Sequence, residues 1–184
     1  EYLTKDELTR INSLDFSHNK TLDAVRDIFM FSCYTGLRFC DAMELSLEDI
    51  MMINDEQHIR VDQIKTNERR EIPLLTPAIA IINKYSSAHF RLIKHKILPS
   101  YSNQRVNIYL KVIAAQAGIN KNLTHHIARH TCATTILLDN NVPIEVVSHW
   151  LGHTNIKTTQ IYAKISHTKL QNQSQRLNEI VGFG

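Results

Sequence analysis

Apolar residues recur every three or four positions along most of the chain, a spacing typical of amphipathic helices. Helices are predicted from Thr4 to Leu14 and from Leu22 to Tyr34, the first opening on the capping-box pattern of residues 4–7. Gly36 ends the second pattern, and a short helix is predicted to follow over residues 37–43. Further helices are predicted at about 77–86, 102–117, 124–138, 143–151, 155–163 and 167–180.

Between about Ile50 and Leu75 the period of the pattern changes from helical to two. Polar and apolar residues alternate over residues 58–64, a polar break follows at 66–68, and a second run covers 71–74. This arrangement predicts a small antiparallel sheet, with Lys65 at the end of one strand beside the turn. The predicted fold class is therefore mainly α with a small antiparallel β-sheet (α+β).

Length and composition favour a single compact domain over residues 1–184. The chain has 43% hydrophobic residues and only five Gly and four Pro, too few chain-breakers for a disordered or linker-rich protein. It contains no apolar run of about 18 residues and no signal sequence, so we expect a soluble, intracellular protein. Three cysteines without Cys-x-x-Cys spacing argue against a disulfide framework or a zinc ribbon. The absence of an initiating Met suggests part of a longer protein.

Charge is distributed unevenly along the chain. Residues 1–75 carry nine basic and fifteen acidic side chains, whereas residues 76–184 carry twelve and three, and no carboxylate occurs between Glu71 and Asp139. Such a basic half favours a polyanionic partner, although a solvated basic face without a partner is the alternative.

Candidate chemistry centres on residues 126–130, where helical spacing puts His126, Arg129 and His130 on one face. Arg38 and Asp41, three residues apart, are predicted to form an ion pair that orients the guanidinium. A two-helix zinc site, built from this segment and from residues 149–153, is disfavoured because no carboxylate or cysteine has ligand-like spacing.

The segment becomes diagnostic of a function only together with the ordered set of polar residues that accompanies it. Together, Arg38, Lys65, His126, Arg129, His153 and Tyr162 closely resemble the catalytic signature of the tyrosine recombinase (phage integrase) family. The resemblance covers essentially the whole chain. It implies the catalytic domain of a site-specific DNA recombinase, with the helical fold and lysine-bearing sheet that the periodicity also predicts.

The resemblance also implies a role for each residue. Tyr162 would attack a DNA phosphodiester, with Arg38 and Arg129 neutralising the phosphate, His126 as base, Lys65 as general acid and His153 bonded to the phosphate. Asp41 and His130 would support them. No metal and no cofactor is expected. DNA contacts are predicted for Lys94, Lys96, Arg105 and Lys111.

Partners and assembly are expected to follow from the same resemblance. We expect a protein that is a monomer when free and binds double-stranded DNA at specific recombination sites as a homo-tetramer. Accessory DNA-bending or directionality proteins are expected partners, no membrane association is expected, and the expected location is the bacterial cytoplasm and nucleoid. An N-terminal DNA-clamping domain would precede this chain, and a tail helix over residues 166–184 would dock on its own domain or on a neighbouring protomer. The alternatives are a type IB topoisomerase-like enzyme and a catalytically idle DNA-binding module.

Overall fold

The computed structural model describes residues 1–62, 69–85, 96–162, 174, 177–179, 181 and 182. Within these ranges the fold is mainly helical with one three-stranded antiparallel sheet, as the periodicity predicts. The helices are α1 (Lys5–Asn12), α2 (Lys20–Thr35), α3 (Phe39–Glu44), α4 (Thr76–Lys84), α5 (Asn103–Gln116), α6 (His125–Thr131), α7 (Ile144–Leu151) and α8 (Lys157–Gln160). The strands are β1 (Ile50–Ile53), β2 (Glu56–Asp62) and β3 (Arg69–Pro73).

Local sequence signals explain how the first helices begin and end. Thr4 and Glu7 form the predicted capping box, which satisfies two backbone N–H groups at the start of α1. Asn19 caps α2 through its side chain, and Gly36 ends that helix in the left-handed conformation with φ +70°. Helix α4 starts one residue earlier than predicted, because Leu75 rather than Thr76 occupies its N-cap position.

The predicted helix over 124–138 is present as three consecutive segments. After α6 the chain continues as a π-helical segment (Cys132–Leu137) and a 3₁₀ turn (Leu138–Asn140). Asn141, with φ +61°, ends this run in the left-handed conformation. The predicted helix over 155–163 is confined to α8, and most of the predicted 167–180 helix lies outside the described residues.

The sheet includes one strand more than the two predicted. Strands β1 and β2 form a hairpin in which Ile53 pairs with Glu56, and the turn residues Asn54 and Asp55 have φ of +49° and +65°. Positive φ at both central positions is typical of a type I′ turn, which Asn and Asp tolerate. Strand β2 then pairs with β3, so the order is β1-β2-β3.

Helix α2 packs against most of the other helices and is buried over most of its length. Its residues Val25 and Phe29 pack in one buried cluster with α1, α5 and α6, while Ile28 and Phe31 pack in a second with the sheet and α4. A third cluster joins the π-helical segment to α7. Since the end of α2 leads directly to Gly36 and Arg38, this helix fixes where the candidate site begins.

No helix among the described residues is long and apolar enough to cross a membrane.

Candidate active site

Arg38 lies just after the turn that ends α2, at the N-cap position of α3. Its Nη1 atom is buried and has no hydrogen-bond partner, and the same is true of Oδ2 of Asp41, which is 3% exposed. The predicted ion pair between them is therefore wrong. Arg38 has extended backbone (φ −70°, ψ 157°), so it does not share a helical face with Asp41.

Arg129 projects from α6 into the interior and is 4% exposed. Its Nη1 donates to the carbonyl oxygen of Gly36 at 2.8 Å, and its Nη2 donates to that of Leu151 at 2.7 Å. Burial, followed by the positive charge of Arg38, lowers the pKa of Arg129 to about 10. Arg129 thus stays charged at neutral pH and holds the ends of α2 and α7 together.

His126 and His130 lie one turn apart on α6, as predicted, with ring centroids 4.5 Å apart in an edge-to-face arrangement. Burial lowers the pKa of both, and the charge of Arg129 contributes to each shift; for His130 the value falls to about 4. Both imidazoles are therefore favoured in their neutral form, which a proton acceptor requires.

His153 follows the left-handed Gly152 that ends α7. Its Nδ1 lies 2.8 Å from Oγ1 of Thr159, a fully buried residue of α8. Burial lowers the pKa of His153 to about 4, and nearby guanidiniums, that of Arg129 foremost, act in the same direction. The ring is thus neutral at physiological pH and is held in one orientation.

Tyr162 lies just beyond α8, between two histidine rings. Its ring is nearly parallel to that of His153 at 6.4 Å and inclined to that of His130 at 5.3 Å. Burial raises the pKa of the phenol, although the charge of Arg129 opposes that shift. The hydroxyl is therefore protonated at rest and needs a base in order to act as a nucleophile.

The described structure brings together five of the six predicted catalytic residues around α6 and the ends of α2 and α7. Arg38, His126 and Arg129 line one cleft of about 460 Å³. The ring of His130 lies between His126 and Tyr162, and the ring of Tyr162 stacks with that of His153. The sixth residue, Lys65, lies outside the described residues. His130, rather than the predicted base His126, is the α6 histidine whose ring contacts Tyr162.

Arg70 is a buried cation near the site that the sequence pattern did not single out. It is 5% exposed and donates from Nη1 to the carbonyl oxygen of Trp150. Its neighbour Arg69 is exposed and pairs with Asp62 at 2.9 Å. The alternation in β3, where Arg70 is in phase with the buried Ile72, could have distinguished the two arginines.

His125 is the second residue that the sequence pattern left unassigned. It is 3% exposed, and its Nε2 lies 3.0 Å from Oγ of Ser32 on α2. Its backbone N–H donates to Oδ1 of Asn107 at 2.8 Å. Burial lowers its pKa to about 4, so it is a neutral residue that joins α6 to α2 and α5.

The predicted DNA-contacting residues occupy different settings. Lys96 forms an ion pair with Glu44 at 2.6 Å and also donates to the Glu44 carbonyl oxygen. Arg105 is exposed and stacks over the rings of Tyr101 and Tyr109, while Lys111 is exposed on the same helix, α5. Lys94 lies outside the described residues, and all four DNA contacts remain predictions.

In the described part of the chain, no three His, Cys, Asp or Glu side chains converge as metal ligands would. Cys33 and Cys132 are buried, and burial raises the pKa of Cys132 to about 12. That thiol is protonated and enclosed, which does not suit a nucleophile.

Comparison with known proteins identifies a single family. The model of the phage integrase family matches residues 1–169. Tyrosine recombinase XerD of Lacticaseibacillus casei is 32% identical over 159 residues, covering 79% of this chain and 52% of that protein. A tyrosine recombinase of Thermosipho africanus is 30% identical over 172 residues, covering 90% of this chain and 58% of the relative. The chain thus spans about half the length of the curated relatives it matches.

Solved structures show the same fold. XerA recombinase superimposes with a TM-score of 0.74 at 25% identity, covering 96% of this chain and 64% of that one. A lambda integrase dimer bound to a COC′ core site superimposes with a TM-score of 0.67 at 22% identity, covering 88% and 58%. The helical architecture with its small sheet is therefore that of tyrosine recombinase catalytic domains.

Proposed function

Because this chain belongs to the phage integrase family, we propose that it cleaves and rejoins DNA at specific sites, using Tyr162 as nucleophile and a covalent 3′-phosphotyrosyl link as intermediate. The observation that carries the proposal is the convergence of a half-buried phenol, two neutral imidazoles and the charged Arg129 at one site.

The cations of the site suit a phosphodiester. Its anionic oxygens repel a nucleophile, and a guanidinium offsets that charge with fixed, directional hydrogen bonds. Arg38 has a buried nitrogen without a partner, a donor available to such an oxygen. Donors aimed at charge that develops in the transition state are each typically worth a factor of roughly 10² to 10³ in rate.

Proton transfers complete the reaction. Attack of the Tyr162 oxygen on phosphorus forms the P–O(Tyr) bond, and the phenol proton passes to a histidine of α6. His126 is the proposed base by family resemblance, and His130 contacts the phenol ring. The P–O5′ bond breaks, and the departing oxygen takes a proton, which we assign to Lys65. Attack by a 5′-hydroxyl of a second strand reverses these steps and rejoins DNA without an external energy source.

The biological setting is part of the same proposal. The enzyme acts as the integrase of a phage or conjugative transposon, in the bacterial cytoplasm, as a tetramer assembled on double-stranded DNA with accessory proteins. An N-terminal domain clamps the opposite side of the duplex, and the segment 166–184 docks on its own domain or on a neighbouring protomer. The chain matches only about half of its relatives, whose remaining length leaves room for such a domain.

A covalent-trapping assay tests the proposal. Labelled duplexes with randomised arms and a nick on one strand are incubated with the chain in EDTA, and covalent protein–DNA complexes are recovered after denaturation. The chain should yield covalent complexes without divalent metal, whereas Tyr162→Phe should yield none and still bind DNA. Tyr2→Phe, which alters an exposed tyrosine, is the matched control. Covalent complexes in Tyr162→Phe would disprove the nucleophile, and their absence from the unaltered chain would favour the idle DNA-binding alternative.

A second assay separates recombination from strand swivelling. Recovered target duplexes placed in two plasmids should exchange strands, because the proposed enzyme joins ends from different partners. Relaxation of a supercoiled plasmid without exchange would instead support the topoisomerase-like alternative.

A further inference from the structure

The backbone carbonyl oxygens at the C-terminal end of α7 have unusual hydrogen-bond partners. The carbonyl oxygens in the last turn of a helix lack partners within the helix. The backbone N–H groups of Gly152 and His153 donate to the carbonyl oxygens of His149 and Ser148 at 2.9 and 3.0 Å. The carbonyl oxygens of Trp150 and Leu151 are instead bound by the side chains of Arg70 and Arg129.

The two guanidiniums come from different parts of the fold. Arg129 belongs to α6, whereas Arg70 belongs to β3, where it pairs with Val61 of β2 and shares the buried face with Ile72. Arg70 therefore ties the sheet to the end of α7. Two and three residues beyond the carbonyl that it binds, the chain reaches Gly152 and His153.

Electrostatics favour this arrangement. The carbonyl end of a helix carries partial negative charge, which a buried cation stabilises. Burial and the charge of Arg129 lower the pKa of Arg70 to about 10, while Asp41 acts in the opposite direction. Arg70 thus remains charged at neutral pH although it is buried, whereas Arg69 is exposed.

We propose that Arg70 is a positioning residue: by holding the Trp150 carbonyl oxygen it sets the location of His153 beside Tyr162. The catalytic consequence of this inference rests on the proposed function, in which the family resemblance makes His153 the residue that bonds to the phosphate. In this role Arg70 acts through the Trp150 carbonyl oxygen rather than on the reacting atoms. A displacement of about 1 Å in a catalytic group costs on the order of a hundredfold in rate, so an anchor at this point influences the reaction from within the core.

Arg70→Lys tests the inference, because it keeps the charge and removes the planar, far-reaching guanidinium. We expect the single-turnover rate of covalent complex formation at saturating DNA to fall about ten- to hundredfold, with little change in the Kd for DNA. Arg69→Lys, one position away on the exposed face of the same strand, should leave the rate unchanged. Arg70→Gln replaces Arg70→Lys if the lysine variant does not fold.

A double-variant comparison distinguishes positioning from general stabilisation. In a His153→Ala background, Arg70→Lys should lower the rate by less than about threefold, since the group on which it acts is already missing. An equal loss in both backgrounds, or no loss in either, overturns the inference.

A measurement without DNA keeps the inference separate from the proposed function. The ring resonances of His153 in NMR spectra of the free protein should shift in Arg70→Lys and not in Arg69→Lys. Unchanged His153 resonances in Arg70→Lys overturn the inference whether or not the chain cleaves DNA. An unaltered chain that forms no covalent complex contradicts only the proposed function.

Discussion

Gly36 and Leu151 are in direct contact: a Cβ atom added to Gly36 would lie 2.8 Å from Cδ2 of Leu151. Their carbonyl oxygens are both bound by the guanidinium of Arg129, at 2.8 and 2.7 Å. The ends of α2 and α7 therefore meet at one arginine. Arg38 follows the first of these ends by two residues and His153 follows the second by two, so this contact sets the spacing between them.

Gly36→Ala should destabilise the protein strongly. The residue has φ +70°, which costs an L-residue about 1–2 kcal/mol, and the new methyl group would also displace Leu151 or the ends of the two helices. We expect a loss of about 2–4 kcal/mol in the free energy of unfolding, measured by urea denaturation. Gly118→Ala is the matched control, because Gly118 has φ +63° but its Cβ would meet only the flexible Arg10 side chain at 3.3 Å. Equal losses in the two variants would show that the contact with Leu151 has no energetic effect.

Folding stability should decrease as the pH falls from about 6.5 to about 4. The pKa of buried His125 is lowered from 6.5 to about 4, so the unfolded chain binds a proton in this range that the folded protein does not. The full difference, up to about 3 kcal/mol, is therefore present above pH 6.5 and is lost as the pH falls toward 4. Thermal unfolding at a series of pH values measures it.

A His125→Gln variant, which can still face Ser32 with a polar group, should show a flatter dependence of Tm on pH over this range. His149→Gln changes an exposed histidine and should keep the dependence of the unaltered protein. An equally steep fall in Tm for His125→Gln would assign the effect to other groups.

DNA binding should weaken steeply with salt, and the exposed cations of α5 should contribute most. Replacing Arg105 or Lys111 with Gln should reduce the slope of log K against log salt by up to about one unit each, wherever the side chain contacts phosphate. Lys96→Gln should change it less, because the Lys96 ammonium is already paired with Glu44. Fluorescence anisotropy across a salt series measures the slopes. A flat salt dependence in the unaltered protein would mean that the basic half is only a solvated face.

Lys65→Ala should be rescued by a substrate whose leaving oxygen is replaced by a 5′-bridging sulfur. A thiolate leaves without a proton, so a general acid is no longer needed and cleavage should approach the rate of the unaltered enzyme. The two arginines that follow Lys65 in the sequence do not offer an alternative acid: Arg69 is paired with Asp62, Arg70 is buried, and guanidinium hardly releases a proton. Slow cleavage of the sulfur substrate by Lys65→Ala would assign another role to Lys65.

The periodicity of the sequence predicted most of the helices of the described residues, two of the three strands and their order along the chain. Local signals carry that information: a capping box at Thr4, a helix-ending glycine at position 36 and alternation through β2 and β3. The ordered set of residues proposed as catalytic was likewise readable, because their chemistry is a property of each side chain.

Only the tertiary structure decided how charges are paired. The stretch without carboxylates reads as uniformly basic, yet its Lys84, Lys96 and Lys121 pair with carboxylates of the N-terminal half, among them Glu44 and Glu7. The charge asymmetry along the chain is thus partly cancelled in space. Such pairs join residues 52 to 114 positions apart, a separation that no local pattern encodes.

Dependence on distant contacts also explains why the partner of Arg70 could not be predicted and why the predicted ion pair of Arg38 was wrong. Sequence spacing placed Arg38 against Asp41, but the backbone leaves the helical region before α3 begins. The alternation of β3 separates exposed Arg69 from buried Arg70, but only the tertiary structure places the end of α7 against Arg70. Residue types and local periods are set by the chain itself, whereas the partner of a buried charge depends on which distant elements pack against it, because an unpaired polar group in the core is costly.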